Sequence, residues 1–220
     1  MESRARIEPY SPEWFILRQG CFTASEIWKL LTEPRSKKDF LSKTAETYIL
    51  EKVWEKLTGQ TKQGIDNFST QWGIEHEPIA KRWYVKLTGN FLNGSVMMFH
   101  EQFENFSSTP DDQVNEDGLL EIKCPATGSN HLRHCFITTD EYFKANHPEY
   151  YWQCVAQMAV FKKSWCDFVS FDPRIDSDLG MFIYRLNYNQ SEVELLLTAV
   201  KKATEVFTSY YELFSKGNKS

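Results

Sequence analysis

Glu121 and Lys123 stand two residues apart in the run Gly118-Leu119-Leu120-Glu121-Ile122-Lys123. In an extended strand alternate side chains share a face, so this carboxylate and ammonium point the same way. Ile122 points the other way, into the core, and its backbone carbonyl could still reach a metal. Asp111 lies ten residues before Glu121, directly after Pro110. If the segment between them folds as a hairpin, Asp111 returns beside Glu121, and two carboxylates converge with one ammonium. Such hard oxygen ligands favour Mg²⁺ or Mn²⁺. A metal there can lower the pKa of a bound water and neutralise charge on a phosphorane-like transition state. Lys123 can hold the attacking water or a phosphate oxygen. The chemistry would be phosphodiester cleavage. By spacing alone, the same residues also fit a surface hairpin with an ordinary Glu–Lys pair.

The elements that must position these residues follow from the pattern of the chain. Thr23-Ala24-Ser25-Glu26 before Ile27-Trp28-Lys29-Leu30-Leu31 reads as a capped helix start. Residues 40–58 and 70–88 read as helices. In the second, Trp72, His76, Ile79, Trp83 and Leu87 recur at helical spacing and make one stripe. Residues 94–108 and 118–124 are apolar and short, as strands are, with Asp117-Gly118 as a tight-turn signal between them. Pro148 opens a helix that continues over 149–161. Trp165–Phe171 and Met181–Leu186 read as strands. From Ser191 to Phe214 a long helix carries Leu196, Val200, Ala203, Phe207, Tyr210 and Phe214 on one face. Helices, strands, a helix, strands and a helix in that order predict a mixed α/β sandwich around a central sheet.

Composition narrows the class. A chain of 220 residues, 41% of them apolar, fits one domain with one sizeable core, ending in a polar tail at about 215–220. The five cysteines, Cys21, Cys124, Cys135, Cys154 and Cys166, include no C-x-x-C pair. That argues against a disulfide framework, a zinc site or a four-cysteine iron–sulfur cluster, and for a reducing cytoplasm. Neither a signal peptide nor a membrane-spanning run is evident. A net charge of −5 argues mildly against coating nucleic acid by bulk positive charge, but leaves room for a basic groove beside a carboxylate site.

Thr109-Pro110-Asp111 … Glu121-Ile122-Lys123-Cys124-Pro125 matches the PD-(D/E)xK nuclease pattern. Four further segments agree in order: Trp14 … Leu17-Arg18-Gln19-Gly20 with Thr23-Ala24-Ser25-Glu26; Trp72-Gly73 … Glu77; Tyr150 … Gln153 … Met158; and Phe171-Asp172-Pro173-Arg174. Over roughly residues 14–175 the chain resembles the phage lambda exonuclease family, the YqaJ-type viral recombinases. The resemblance implies a restriction-endonuclease-like α/β fold, a central mixed β-sheet flanked by helices. It implies Mg²⁺, with Mn²⁺ as a substitute, held by Asp111, Glu121 and the Ile122 carbonyl. Lys123 becomes the catalytic lysine, Glu77 a contributor to the metal site directly or through water, and Gln153 a neighbour of the scissile phosphate or of Lys123. Arg18 and Ser25 fall where the family holds the DNA 5′-phosphate. An arginine fork and a hydroxyl near a helix N-terminus suit a terminal phosphate. Arg35, with Lys37 and Lys38, falls where the family follows the duplex backbone. Tyr150 is expected to pack.

The implied activity is 5′→3′ exonuclease digestion of double-stranded DNA ends, releasing mononucleotides and leaving a 3′ single strand. The implied setting is phage recombination in the bacterial cytoplasm, as a homotrimeric ring working with a single-strand annealing protein. A site-specific endonuclease of the same superfamily is the alternative, and a DNA-binding module that has lost catalysis a third. The sequence departs from the family in two places. Asp112-Gln113 follows Pro110-Asp111, making Asp112 an extra candidate ligand or an exposed neighbour. Ser69-Thr70 stands where the lambda protein carries an apolar residue that splits the duplex; Phe68 is a possible replacement.

Overall fold

The computed structural model describes residues 7, 9, 11–36, 38–61, 68–176 and 178–216. Two sheets carry the molecule. Three short strands, β1 (Phe22–Thr23), β2 (Met98–Phe99) and β3 (Phe106–Ser108), form one in the order β1-β3-β2. β4 (Asp112–Val114), β5 (Gly118–Lys123), β6 (Trp165–Phe171) and β7 (Met181–Asn187) form the other in chain order. β5 and β6 are parallel and both outer pairs antiparallel, so the sheet is mixed, as expected.

The single strand region predicted over 94–108 is instead two short strands, β2 and β3, and the expected one sheet is two. Pro110 sits between β3 and β4 and has no N–H to extend a ladder. The turn also moves. Asn115-Glu116-Asp117 closes the β4–β5 hairpin, with Asn115 at φ +48°, and Gly118 is already the first residue of β5. Gly118 is glycine for a different reason: a Cβ there would lie 2.2 Å from the Trp165 ring.

Nine helical segments frame the sheets among the described residues: α1 (Pro12–Arg18), a 3₁₀ helix (Ala24–Leu31), α2 (Lys43–Thr58), α3 (Phe68–Thr88), α4 (Gly128–His134), α5 (Asp140–Asn146), α6 (Pro148–Phe161), a second, three-residue 3₁₀ turn (Asp178–Gly180) and α7 (Gln190–Lys216). The segment at Ala24 is 3₁₀ rather than α, and its N-cap Thr23 makes no side-chain capping bond. α7 runs through Ser215 and Lys216, the first two residues of the expected polar tail; 217–220 lie outside the described residues.

Strand alternation divides the core between the two faces of the larger sheet. Leu119, Cys166, Phe168 and Leu186 join a large cluster with the 3₁₀ helix, α2, α6 and α7. Leu120, Ile122, Val169, Phe171 and Met181 meet Ala80 and Tyr84 of α3 on the opposite side. α6 is buried at every residue from Tyr151 to Phe161. With each large apolar side chain contributing about 1.5–3 kcal/mol, this helix is a fixed platform for its two glutamines. The stripe predicted on α3 is not the buried face. Trp83 is 47% and Leu87 56% exposed, while Ala80 and Tyr84 are buried. Tyr84 settles the orientation, because its hydroxyl donates to the buried Asp167 at 2.6 Å.

Candidate active site

The β4–β5 hairpin pairs Asp112 with Leu120, and the Asp111 N–H donates to the Leu120 carbonyl at 3.0 Å. That register sets Asp111 against the far end of β5. Its Oδ2 accepts from the Ile122 N–H at 2.5 Å. Its Oδ1 has no hydrogen bond among the described residues. Asp112, one residue on, faces the other way. It is buried, and its Oδ1 accepts from the N–H of Gly94 at 2.6 Å and of Gln113 at 3.0 Å. The extra carboxylate is therefore buried rather than exposed: it anchors the Gly94 loop, and its Oδ2 lies 3.7 Å from Lys81 Nζ.

Glu121 is 1% exposed and fully engaged. Its Oε1 accepts from Lys123 Nζ at 2.5 Å and Gln153 Nε2 at 2.7 Å, and its Oε2 from Gln157 Nε2 at 2.5 Å. The Cys166 thiol donates to the Gln157 Oε1 at 3.4 Å, which fixes the amide so that its NH₂ faces the carboxylate. Lys123 also lies 5.2 Å from the centre of the Tyr150 ring, which in turn stacks on Phe168. Tyr150 packs, as expected, and also lines the site.

α3 brings a second pair. Glu77 Oε1 and Lys81 Nζ are 2.9 Å apart, one helical turn from each other. Lys81 also donates to the Asp111 carbonyl at 2.7 Å. Gln157 and Lys81 are not among the residues the motifs nominate. Each lies four positions beyond a nominated residue on its helix, Gln153 and Glu77, and so on the same face.

The electrostatics follow from crowding these groups in a poorly hydrated place. Burial, then Glu121, then Glu77 push the Asp111 carboxyl well above the usual carboxylate range, against opposing pulls from Lys123 and the Ile122 N–H. Burial alone would lower Lys123, but Glu121 and Asp111 outweigh it and hold the ammonium well above its usual value. Burial, with Glu77 and Asp111, pushes the neighbouring Cys124 thiol up to about 12, so it is no nucleophile at neutral pH.

Two cavities meet at these side chains. One, of about 430 Å³, is lined by Arg18, Ser25, Glu77, Asp111, Glu121, Lys123 and Gln153, together with Trp14, Thr23 and Lys81. The other, of about 600 Å³, shares Glu77, Asp111 and Lys123 and continues past Ile122, Arg133, His134 and Tyr150. The fold thus gathers seven nominated residues into one cavity and places Ile122 in the lining of the other. Arg35 is not gathered: it stands exposed on the loop before α2, outside the lining of both cavities. Lys37 lies outside the described residues. Phe68 is exposed at the start of α3, with Ser69 and Thr70 on the larger cavity's wall.

The last matched segment has a clear local task. Asp172 accepts from Arg174 Nε and NH2 at 2.7 Å each. Arg174 donates on to the carbonyls of Ala126 and Pro125 and lies 4.7 Å over the Trp72 ring. It ties the loop after β5 to α3, and so steadies the larger cavity.

This is the alkaline exonuclease fold. The structure of an alkaline exonuclease (LHK-Exo) from Laribacter hongkongensis superposes with a TM-score of 0.80 at 29% identity, over 94% of this chain and 97% of that one. The same protein in complex with dAMP matches equally. A phage related exonuclease from Haemophilus somnus 129PT shares the fold at a TM-score of 0.71 and 19% identity, over 90% and 96% of the two chains. Residues 13–164 match the YqaJ-like viral recombinase domain, and the chain belongs to that family. It is a nuclease, an enzyme of the alkaline exonuclease type. No curated protein matches it by sequence. No helix among the described residues is long and apolar enough to cross a membrane.

Proposed function

We propose that the chain is a Mg²⁺-dependent exonuclease that digests double-stranded DNA from 5′ ends, releasing mononucleotides and leaving a 3′ single strand. The supporting observation is the 430 Å³ cavity, where the Arg18 and Ser25 pair meets Asp111, Glu121, Lys123 and Gln153. A terminal phosphate on Arg18 and Ser25 would share the cavity with Lys123.

Among the described residues no three His, Cys, Asp or Glu side chains form a ready metal cluster. The donor set still fits Mg²⁺, which is held by few protein oxygens and keeps several waters. Asp111 and Glu121 would hold it with the Ile122 carbonyl, and Glu77 through water. The raised pKa of the Asp111 carboxyl supports this reading, since burial first, then Glu121 and Glu77, disfavour its charge, and a cation offsets both. When bound, the ion supplies an activated water and charge neutralisation. The chain's own residues do the rest. Lys123, charged at any working pH, orients the water or a phosphate oxygen. Gln153 and Gln157 keep the Glu121 carboxylate aimed. Arg18 and Ser25 set the register from the end.

Digestion of linear duplex labelled separately at each end, with and without Mg²⁺, tests activity, metal and polarity together. Loss of label from the 3′ end first would overturn the polarity. Asp111→Ala and Lys123→Ala are expected to abolish cleavage while the fold stays intact; full activity in either sinks the site. Cleavage of relaxed circular duplex would favour the alternative, an endonuclease. Assembly as a homotrimer around DNA and work with an annealing protein in phage recombination belong to the same proposal.

A further inference from the structure

Behind Arg18 and Ser25 lies a set of four charges, two of them buried, that the cleavage chemistry does not use. Lys52 and Glu55 of α2 are almost fully buried and paired at 3.0 Å. Glu26 Oε2 is 3.7 Å from Lys52, and Glu26 Oε1 is 2.5 Å from Lys29. Both ammonium groups also lie over the buried Tyr48 ring, at 4.9 Å for Lys29 and 5.4 Å for Lys52.

A buried ion pair is seldom kept for stability. A well-packed apolar pair of similar volume is often as stable or more so. What this set contributes is a pair of acceptors for backbone N–H groups. Glu55 Oε2 accepts from the Gly20 N–H at 3.1 Å, and the Tyr48 hydroxyl accepts from the Thr23 N–H at 3.0 Å. Both donors lie between Arg18 and Ser25. The turn is pressed against α2 as well: Gly20 has φ +73°, and a Cβ on it would be 2.9 Å from the Lys56 Cβ. Thr23 passes the constraint on, with its Oγ1 at 3.3 Å from the Ser25 Oγ.

We infer that Tyr48 and the Lys52–Glu55 pair are positioning residues that hold the Arg18–Ser25 turn in the shape needed to grip a terminal phosphate. They touch no substrate; they act through the Gly20 and Thr23 backbone. The inference rests on the proposed 5′-phosphate pocket and extends it one layer outward, into α2.

The test compares kcat and KM on linear duplexes with 5′-phosphate and 5′-hydroxyl ends, at saturating Mg²⁺, with near-UV circular dichroism on each variant. Tyr48→Phe removes one acceptor with little change of volume. It is expected to raise KM on 5′-phosphorylated ends roughly three- to tenfold, the worth of one hydrogen bond, with kcat and the 5′-hydroxyl rate unchanged. Lys52→Met with Glu55→Leu removes both charges and the Gly20 acceptor, and should do the same. Lys52→Met with Glu55→Gln restores an acceptor and should restore the discrimination, which a merely structural role would not produce. If both acceptor-less variants fold and keep wild-type discrimination, the inference is overturned; if the double variant fails to fold, Tyr48→Phe alone decides. Arg18→Ala separates the two layers. Loss of discrimination there, with none lost in Tyr48→Phe, leaves the pocket standing and removes α2 from it. Equal wild-type rates on both ends would remove the pocket and the inference together.

Discussion

At the scale of single residues, Asp111 and Asp112 illustrate how strand alternation separates two roles in adjacent carboxylates. Asp111 faces Glu121 and Glu77, and Asp112 faces the Gly94 loop. Asp112→Ala is therefore expected to cost about 1–3 kcal/mol of stability, measured by denaturant titration, because the Gly94 N–H loses its acceptor. Cleavage per folded molecule should survive, in contrast to Asp111→Ala. His134 offers a pH test away from the carboxylates. It is buried against Phe168, Tyr150 and His147, with Lys123 and His131 also near, and burial first, then His147, lowers its pKa to about 3. His131 Nε2 must donate to the Leu179 carbonyl, so its Nδ1 accepts from the Ser170 hydroxyl. That hydroxyl in turn accepts from His134 Nδ1–H. Between the unfolded pKa of about 6.5 and about 3, the folded state binds fewer protons than the unfolded one. The stabilisation from neutral His134 is thus complete above about pH 6.5 and is lost as pH falls toward 3. In His134→Gln the slope of stability against pH over this window should flatten, by up to a few kcal/mol across it. An unchanged slope would remove His134 as its source.

At the scale of elements, the site stands on a hairpin and two helices, and each was legible to a different degree. β5 and α6 could be read because their punctuation is strong: the Gly118–Lys123 run after its turn, and Pro148 opening a mostly apolar helix. The convergence of Asp111 with Glu121 followed from assuming a hairpin, which the register bears out. α4 and α5 were missed because seven residues make two turns, too few for a periodic stripe to emerge. The face of α3 was misjudged because tryptophan and leucine outweigh alanine and tyrosine in any apolar pattern. What orients the helix is a hydrogen bond from Tyr84 to Asp167, which lies 83 residues away and leaves no local trace. Gln157 needed the sheet as well as the helix, since its task is defined by Glu121 and Cys166. Gly118 is the element-scale test. Trp165 fills the space where its side chain would be and is itself covered by Arg185 at 3.6 Å. Gly118→Ala should cost about 1–3 kcal/mol, as overpacking does, and Trp165→Leu in the same chain should recover part of it. A neutral Gly118→Ala melting curve would contradict the contact.

At the scale of the whole molecule, an ion that settles among crowded carboxylates stabilises the fold it binds. At a concentration a hundred times its dissociation constant, Mg²⁺ would contribute about 2.7 kcal/mol. For a chain of this length that is a rise of roughly 5–10 °C in Tm. The wild type should show it in differential scanning calorimetry and Asp111→Ala should not; equal shifts would place the ion elsewhere.

The bonds to Glu121 carry one more consequence, for the order of events during synthesis. The glutamines that hold it lie 32 and 36 residues further along, and the parallel neighbour of its strand, β6, comes later still. A chain emerging from the ribosome can therefore close the hairpin of Asp111 and Glu121 well before Gln153, Gln157 and β6 arrive to fix the Glu121 carboxylate, and parallel pairing of this kind waits on its crossover. Glu121 is aimed late, by residues that lie outside its own hairpin.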